Sequence, residues 1–204
     1  MNSLPDSRVP VVVMASGTGS LLAAILAASD EAPFAVAGVV SDRECAAVGI
    51  AADAGVPVSV CRPADHADRT AWDAALTETV AGFAPEWVVT AGFMRILGAH
   101  FLGRFGGHVL NSHPALLPAF PGAHGVADAL AHGVKVTGCT VHLVDDGVDT
   151  GPILAQQVVT VADDDTVESL HERIKEVERE LLPSVVAAVV ARGVVTDGRK
   201  AYIP

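Results

Sequence analysis

Residues 9–28 read VPVVVMASGTGSLLAAILAA. The first seven form a nearly continuous apolar run of strand length, rich in β-branched residues, which is the pattern of a strand covered on both faces. Ser16, Gly17, Thr18, Gly19 and Ser20 interrupt it, and residues 21–28 continue as an alanine-rich helical pattern. A buried strand, a glycine turn and a helix together make the opening of a βαβ unit, and the following residues repeat it. Residues 34–40 (FAVAGVV), 56–61 (VPVSVC) and 87–91 (WVVTA) are further strand-length apolar runs, and 45–54 and 70–83 are helical stretches between them. This rhythm predicts an α/β protein, Rossmann-like and doubly wound, with a mostly parallel sheet and functional residues beyond the carboxyl ends of its strands.

Residues 109–110 would add a fifth strand, after which the pattern changes. Residues 137–144 (TGCTVHLV) and 153–161 (ILAQQVVTV) alternate partially around the turn-rich DDGVDTGP, predicting a carboxyl-terminal antiparallel portion. The last long helix is expected over 165–192, with Asp165 and Glu168 as a capping box and Leu170, Ile174, Val177 and Leu181 as its apolar stripe. Pro183 would bend or divide it. No composition break separates a second domain, so residues 1–204 read as one domain with halves at about 9–110 and 111–204.

The whole chain agrees with that reading. Its 204 residues are 50% hydrophobic and only 18% charged, the composition of a globule with a substantial core. A formal net charge of −11, with 13 scattered Lys and Arg, argues against nucleic acid or an anionic membrane as partner. Cys45, Cys61 and Cys139 form no CxxC pair and suggest buried thiols in a reducing cytoplasm. Residues 1–9 lack the long apolar core of an export leader.

Three motifs carry chemistry. In SGTGS, glycines would let the backbone turn sharply and aim free amides at a phosphate; a plain tight turn is the competing reading. A dinucleotide fingerprint would need Gly where Leu22 stands, although Asp42 occupies the place of a ribose-binding acid. In VLNSHP (109–114), Asn111 and His113 should project to one side of a strand end and Ser112 to the other. An amide that can hold an oxyanion and an imidazole that can move a proton suit acyl chemistry. No GxSxG nucleophile accompanies them, so the expected step is direct transfer between two bound substrates. Pro114 and Pro118 would fix the exit path. The third motif, residues 145–152, is either a solvated acidic turn or the source of a carboxylate for His113; spacing leaves both open.

SGTGS, GFMRIL at 92–97, NSHPALLPAFPGAH at 111–124 and VDTGPI at 148–153 occur in the order in which they resemble the phosphoribosylglycinamide formyltransferases, folate-dependent enzymes of purine synthesis. The resemblance implies a formyltransferase fold, 10-formyltetrahydrofolate as formyl donor, the amine of glycinamide ribonucleotide as acceptor, and no metal. It implies Asn111, His113 and Asp149 as the catalytic set. Gly19, Ser20 and Leu21, with Lys175 and Glu178 on the last helix, would bind the ribonucleotide. Arg69, Met94, Arg95, Ile96 and Leu97, with Asn111 and the loop Asp145, Asp146, Gly147, Val148 and Asp149, would bind the folate. The first half is then the phosphate-binding half and the second the catalytic and folate-loop half, in a cytoplasmic enzyme for which a homodimer stays open.

The chain departs from the common pattern at Leu21, where Asn is frequent, at Ala119, where Lys is frequent, and at Arg179, where His is frequent. His124 has no role assigned by its position, and His66, His100, His108, His132, His142 and His171 lack metal-ligand spacing and read as surface or packing residues. Competing readings are a formyltetrahydrofolate deformylase, a methionyl-tRNA formyltransferase and a non-catalytic Rossmann-type nucleotide-binding module. The first two would carry an extra domain, and the third leaves Asn111, His113 and Asp149 without purpose.

Overall fold

A computed structural model describes residues 8–204, so the expectation about a leader in residues 1–9 lies, but for its last two residues, outside the described part. The amino-terminal region alternates β1 (Val9–Met14), α1 (Ser20–Ser29), β2 (Phe34–Ser41), α2 (Ala46–Asp53), β3 (Val58–Val60), α3 (Arg69–Ala81), β4 (Trp87–Thr90), α4 (Ala99–Phe105) and β5 (Val109–His113). There follow α5 (Gly125–Ala131), β6 (Val136–Leu143), β7 (Ile153–Thr160), α6 (Val167–Arg192), β8 (Val195–Asp197) and β9 (Lys200–Tyr202). All strands join one sheet in the order β3-β2-β1-β4-β5-β6-β7-β9-β8. The first five are parallel, and β6 runs antiparallel to both β5 and β7. This is the mostly parallel sheet with an antiparallel portion that the alternation predicted.

The apolar run of β1 explains why the sheet is covered on both sides. Val11, Val13 and Ala15 enter one core with Leu22 and Ile25 of α1 and Leu182, Val186 and Val189 of α6. Val12 and Met14 enter the opposite core with Trp72 and Leu76 of α3 and Phe101 of α4. Successive strand residues face opposite ways, so a strand with helices on both sides must be apolar at every position. Each such side chain, fully buried, contributes roughly 1.5–3 kcal/mol, which fixes the register of the strand ends that carry the polar residues.

Three expectations need correction. The helix N-cap is Thr166 rather than Asp165, and its reciprocal partner is Ser169 rather than Glu168; Ser and Thr complete the same pair of bonds one residue later. Pro183 does not divide α6: Val167–Arg192 is one helix of 26 residues. Packing of Leu182, Val185, Val186 and Val189 against the sheet outweighs the one backbone bond a proline forfeits. The fifth strand runs past Leu110 to His113, so the whole of Asn111, Ser112 and His113 is sheet. The short β8–β9 hairpin, turned at Gly198-Arg199 with Gly198 at φ 59°, was not anticipated, although glycine at the first position of a two-residue loop is a hairpin signal. Among the described residues, no helix is long and apolar enough to cross a membrane.

Candidate active site

The strand order reverses between β1 and β4, because the chain builds outward to β3 and then crosses back. A doubly wound sheet opens its ligand crevice at such a point, beyond the carboxyl ends. Here the crevice floor is stitched together: the Ala91 N–H donates to Met14 O (2.8 Å), the Ser16 N–H to Gly92 O (3.1 Å) and the Met94 N–H to Ser16 Oγ (3.0 Å).

On one side of the crevice lies the glycine turn. Gly19 caps α1 in the left-handed region at φ 77°, and no side chain caps the first helical turn. The leading amides of a helix have no partner within it, so they stay available to an anion. A Cβ on Gly19 would come within 2.8 Å of Ile50 Cδ1 and 2.9 Å of Ala47 Cα, so glycine also permits α2 to approach. The Ala47 N–H closes that contact on Gly17 O. Ser20 is half-buried, while Leu21 turns its side chain into the core and can offer only its backbone.

On the other side β4, β5, β6 and the loop after β6 bring five polar side chains together. Thr90 Oγ1 donates to Asn111 Oδ1 at 2.6 Å, which orients the amide so that Nδ2 lies 3.1 Å from His142 Nε2 and 3.5 Å from Asp149 Oδ1. His142 Nδ1 faces the Leu143 carbonyl at 2.8 Å; that contact requires the proton on Nδ1 and leaves Nε2 to accept from Asn111. His113 Nε2 lies 2.8 Å from Phe120 O, and its Nδ1 lies 3.3 Å from Asp149 Oδ2. Both ring nitrogens thus face acceptors. Gly125 lies behind the ring, where a Cβ would sit 3.1 Å from Nε2.

Asp149 is the hub. Its Oδ2 also accepts from the Gly122 N–H at 2.7 Å, and its Oδ1 is 3.6 Å from His142 Nε2. Its backbone is left-handed at φ 55°, a conformation aspartate tolerates better than most residues and one that turns the carboxylate back towards β5. Burial alone would raise its pKa, but the Gly122 hydrogen bond and charge on His113 outweigh that, holding the carboxyl below its ordinary range. Gly151 permits the turn that follows, since a Cβ there would meet Leu143 O at 1.7 Å.

The remaining sequence-derived residues divide into those at the crevice and those beneath it. The 94–97 segment crosses the β4 end with Met94 and Ile96 each 61% exposed and Leu97 buried. The Arg69 guanidinium donates to Ile96 O and stacks over Trp72, 4.6 Å from the ring centroid. In the other loop Asp145 accepts from Gly147 N and Thr150 Oγ1, Asp146 is exposed, and Val148 stands 47% exposed. Ser112 faces away from Asn111 and His113 and donates to Glu178 at 2.6 Å. Glu178 is therefore buried on the α6 side of the sheet, and burial holds its pKa above the ordinary 4.5. Lys175 pairs with Glu172 on the same helix. His124 is exposed at the start of α5. His142 overturns its reading as a packing residue: it is 2% exposed yet bonded to Asn111. The signal that finds it is register, because Asn111 and His142 are directly paired across β5 and β6.

Comparison with known proteins places the chain among formyl transferases. The chain is 61% identical over 198 residues to the phosphoribosylglycinamide formyltransferase of Mycobacterium tuberculosis (strain ATCC 25618 / H37Rv), covering 97% of this chain and 92% of that one. It superposes on the glycinamide ribonucleotide transformylase 1 of Symbiobacterium toebii with a TM-score of 0.94 at 40% identity, over 99% of this chain and 98% of that one. A formyltetrahydrofolate deformylase from Pseudomonas syringae pv. tomato shares the fold at a TM-score of 0.88 and 28% identity, over 96% of this chain and 66% of that one. The family model for formyl transferases matches residues 9–186, from the first residue of β1 to well into α6, and the chain belongs to that family.

Proposed function

We propose that the protein transfers the formyl group of 10-formyltetrahydrofolate to the amine of glycinamide ribonucleotide, a step of purine biosynthesis. The observation that carries this reading is the convergence of Asn111, His113 and Asp149 at the end of β5, with the neighbouring Ser112 turned to the opposite face. That set can stabilise an oxyanion and move a proton, and it pairs His113 with a carboxylate instead of a nucleophile. The amine attacks the formyl carbon, and Asn111 Nδ2 donates to the oxygen as it becomes anionic. The bond from that carbon to the folate nitrogen then breaks. His113 gives a proton to the departing nitrogen and takes the amine's proton in return, with Asp149 holding the ring and its charge. His142 accepts from Asn111 and keeps the amide aimed.

The ribonucleotide phosphate lies against the amides of Gly19, Ser20 and Leu21, with Lys175 approaching from α6, whereas Glu178 is buried and engaged by Ser112. The folate lies between the 94–97 segment and the loop 145–149, whose exposed Met94, Ile96 and Val148 offer it an apolar surface. Transfer is favoured over hydrolysis by the 61% identity with a formyltransferase against 28% with a deformylase. The test is an assay of purified protein with both substrates. Consumption of formyl folate that requires the ribonucleotide and yields formylated product is expected; equal consumption without the ribonucleotide, with release of formate, would mean hydrolysis.

A further inference from the structure

Asp42 is the motif residue that the proposed formyl transfer leaves unused. It follows β2 where a dinucleotide enzyme holds a ribose, yet its side chain is fully buried and its oxygens are already taken. Arg43 Nε lies 3.1 Å from Oδ1, and its terminal nitrogen 2.8 Å from Oδ2. Arg95 Nε lies 2.7 Å from Oδ2, and Ser16 supplies a further hydrogen bond. Burial would raise this carboxyl, but the bonds from Arg43, Arg95 and Ser16 prevail and hold its pKa down at about 2. A carboxylate so engaged stays ionised at neutral pH and has little left for a ribose hydroxyl.

Its partners point to a different task. Ser16 opens the glycine turn and also receives the Met94 N–H; Arg95 belongs to the segment that crosses the β4 end. Three consecutive residues of that segment are thus tied down from separate elements: Met94 to Ser16, Arg95 to Asp42, and Ile96 to Arg69. Beyond Leu97 a second buried aspartate, Asp73, receives the Gly98 N–H at 2.8 Å and the His100 N–H at 2.9 Å. The backbone is held from beneath while the Met94 and Ile96 side chains remain exposed. We infer that Asp42 is a positioning residue for the formyl-donor pocket, fixing the 94–97 segment against the glycine turn through Arg95 and Ser16.

This inference rests on the proposed formyl transfer and assigns Asp42 no contact with either substrate. Its test is steady-state kinetics of Asp42→Asn with each substrate varied in turn. Removing the charge frees Arg95, so KM for 10-formyltetrahydrofolate should rise about tenfold while KM for glycinamide ribonucleotide and kcat change less than about twofold. Arg43→Ala removes the other cation without touching the segment and should leave the folate KM near wild type. Arg95→Gln should raise the folate KM, and the double variant with Asp42→Asn should raise it no further than either alone. An unchanged folate KM in Asp42→Asn, an equal rise in Arg43→Ala, or additive effects in the double variant would overturn the inference. Should Asp42→Asn not fold, Asp42→Glu keeps the charge and displaces Arg95; it should give the same split, and wild-type folate KM there would count against the proposal. Absence of transfer in the wild-type protein would instead overturn the proposed function.

Discussion

The two sides of the crevice are built on different principles. At the ends of β1 and β2 the surface offered to a ligand is backbone: a glycine turn with Gly17 and Thr18 exposed and an uncapped helix start. At the ends of β5 and β6 it is side chain: Asn111, His113, His142 and Asp149 interlocked, with His113 4% and His142 2% exposed. Backbone amides hold an anion at fixed places and cannot exchange protons at neutral pH, which suits binding. Interlocked imidazoles and a carboxylate can move protons, which suits reaction. The contrast teaches that changes on the second side should fall on kcat and changes on the first on KM.

His113→Ala is the most severe challenge to that division. Loss of the proton relay should lower kcat by about 10²- to 10⁴-fold, while both substrates still bind; a normal kcat with raised KM would break the comparison. Asn111→Ala comes next. Removing an oxyanion donor should cost about 10²- to 10³-fold in kcat, with the ribonucleotide KM little changed.

On the binding side, Gly19→Ala forces a Cβ onto Ala47 and Ile50 at a positive φ, and should destabilise the fold by about 1 kcal/mol or more in denaturant titration. Its kinetic signature should be a raised ribonucleotide KM, and a kcat loss with unchanged KM would place the turn among the reacting groups.

The smallest effect concerns pH. Asp149 has a depressed pKa in the folded chain, so its stabilisation is complete above the unfolded value near 3.8 and is lost as pH falls through the lower folded value. Thermal melts of Asp149→Asn should therefore depend less on pH across that acid window than melts of the wild type. Equal slopes would show that the carboxylate gains nothing from its neighbours in the fold.

How legible each side was in the sequence follows from the same contrast. SGTGS is contiguous, and glycine spacing after an apolar run is a local instruction, so the turn could be found directly. Asn111 and His113 were likewise legible as a pair, two residues apart on one strand. Asp149 was not: 36 residues separate it from His113, and only resemblance supplied it. His142 was missed outright, because an isolated histidine in an alternating strand looks like any other until the register of β5 against β6 is known. Ser112 shows the reverse case, since strand alternation correctly turned it away from the crevice but could not name Glu178 as its partner on α6.

What the sequence determined alone is what local physics dictates. Continuous apolar runs between alanine-rich helices require a two-sided parallel sheet, and the glycines at its first exit require a sharp turn. Tertiary structure decided which distant groups meet. The antiparallel return of β6 set His142 beside Asn111, the left-handed turn at Asp149 aimed its carboxylate at His113, and the end of β2 lodged Asp42 beneath Arg95. Those contacts depend on register and packing across the sheet, which no short window of residues encodes.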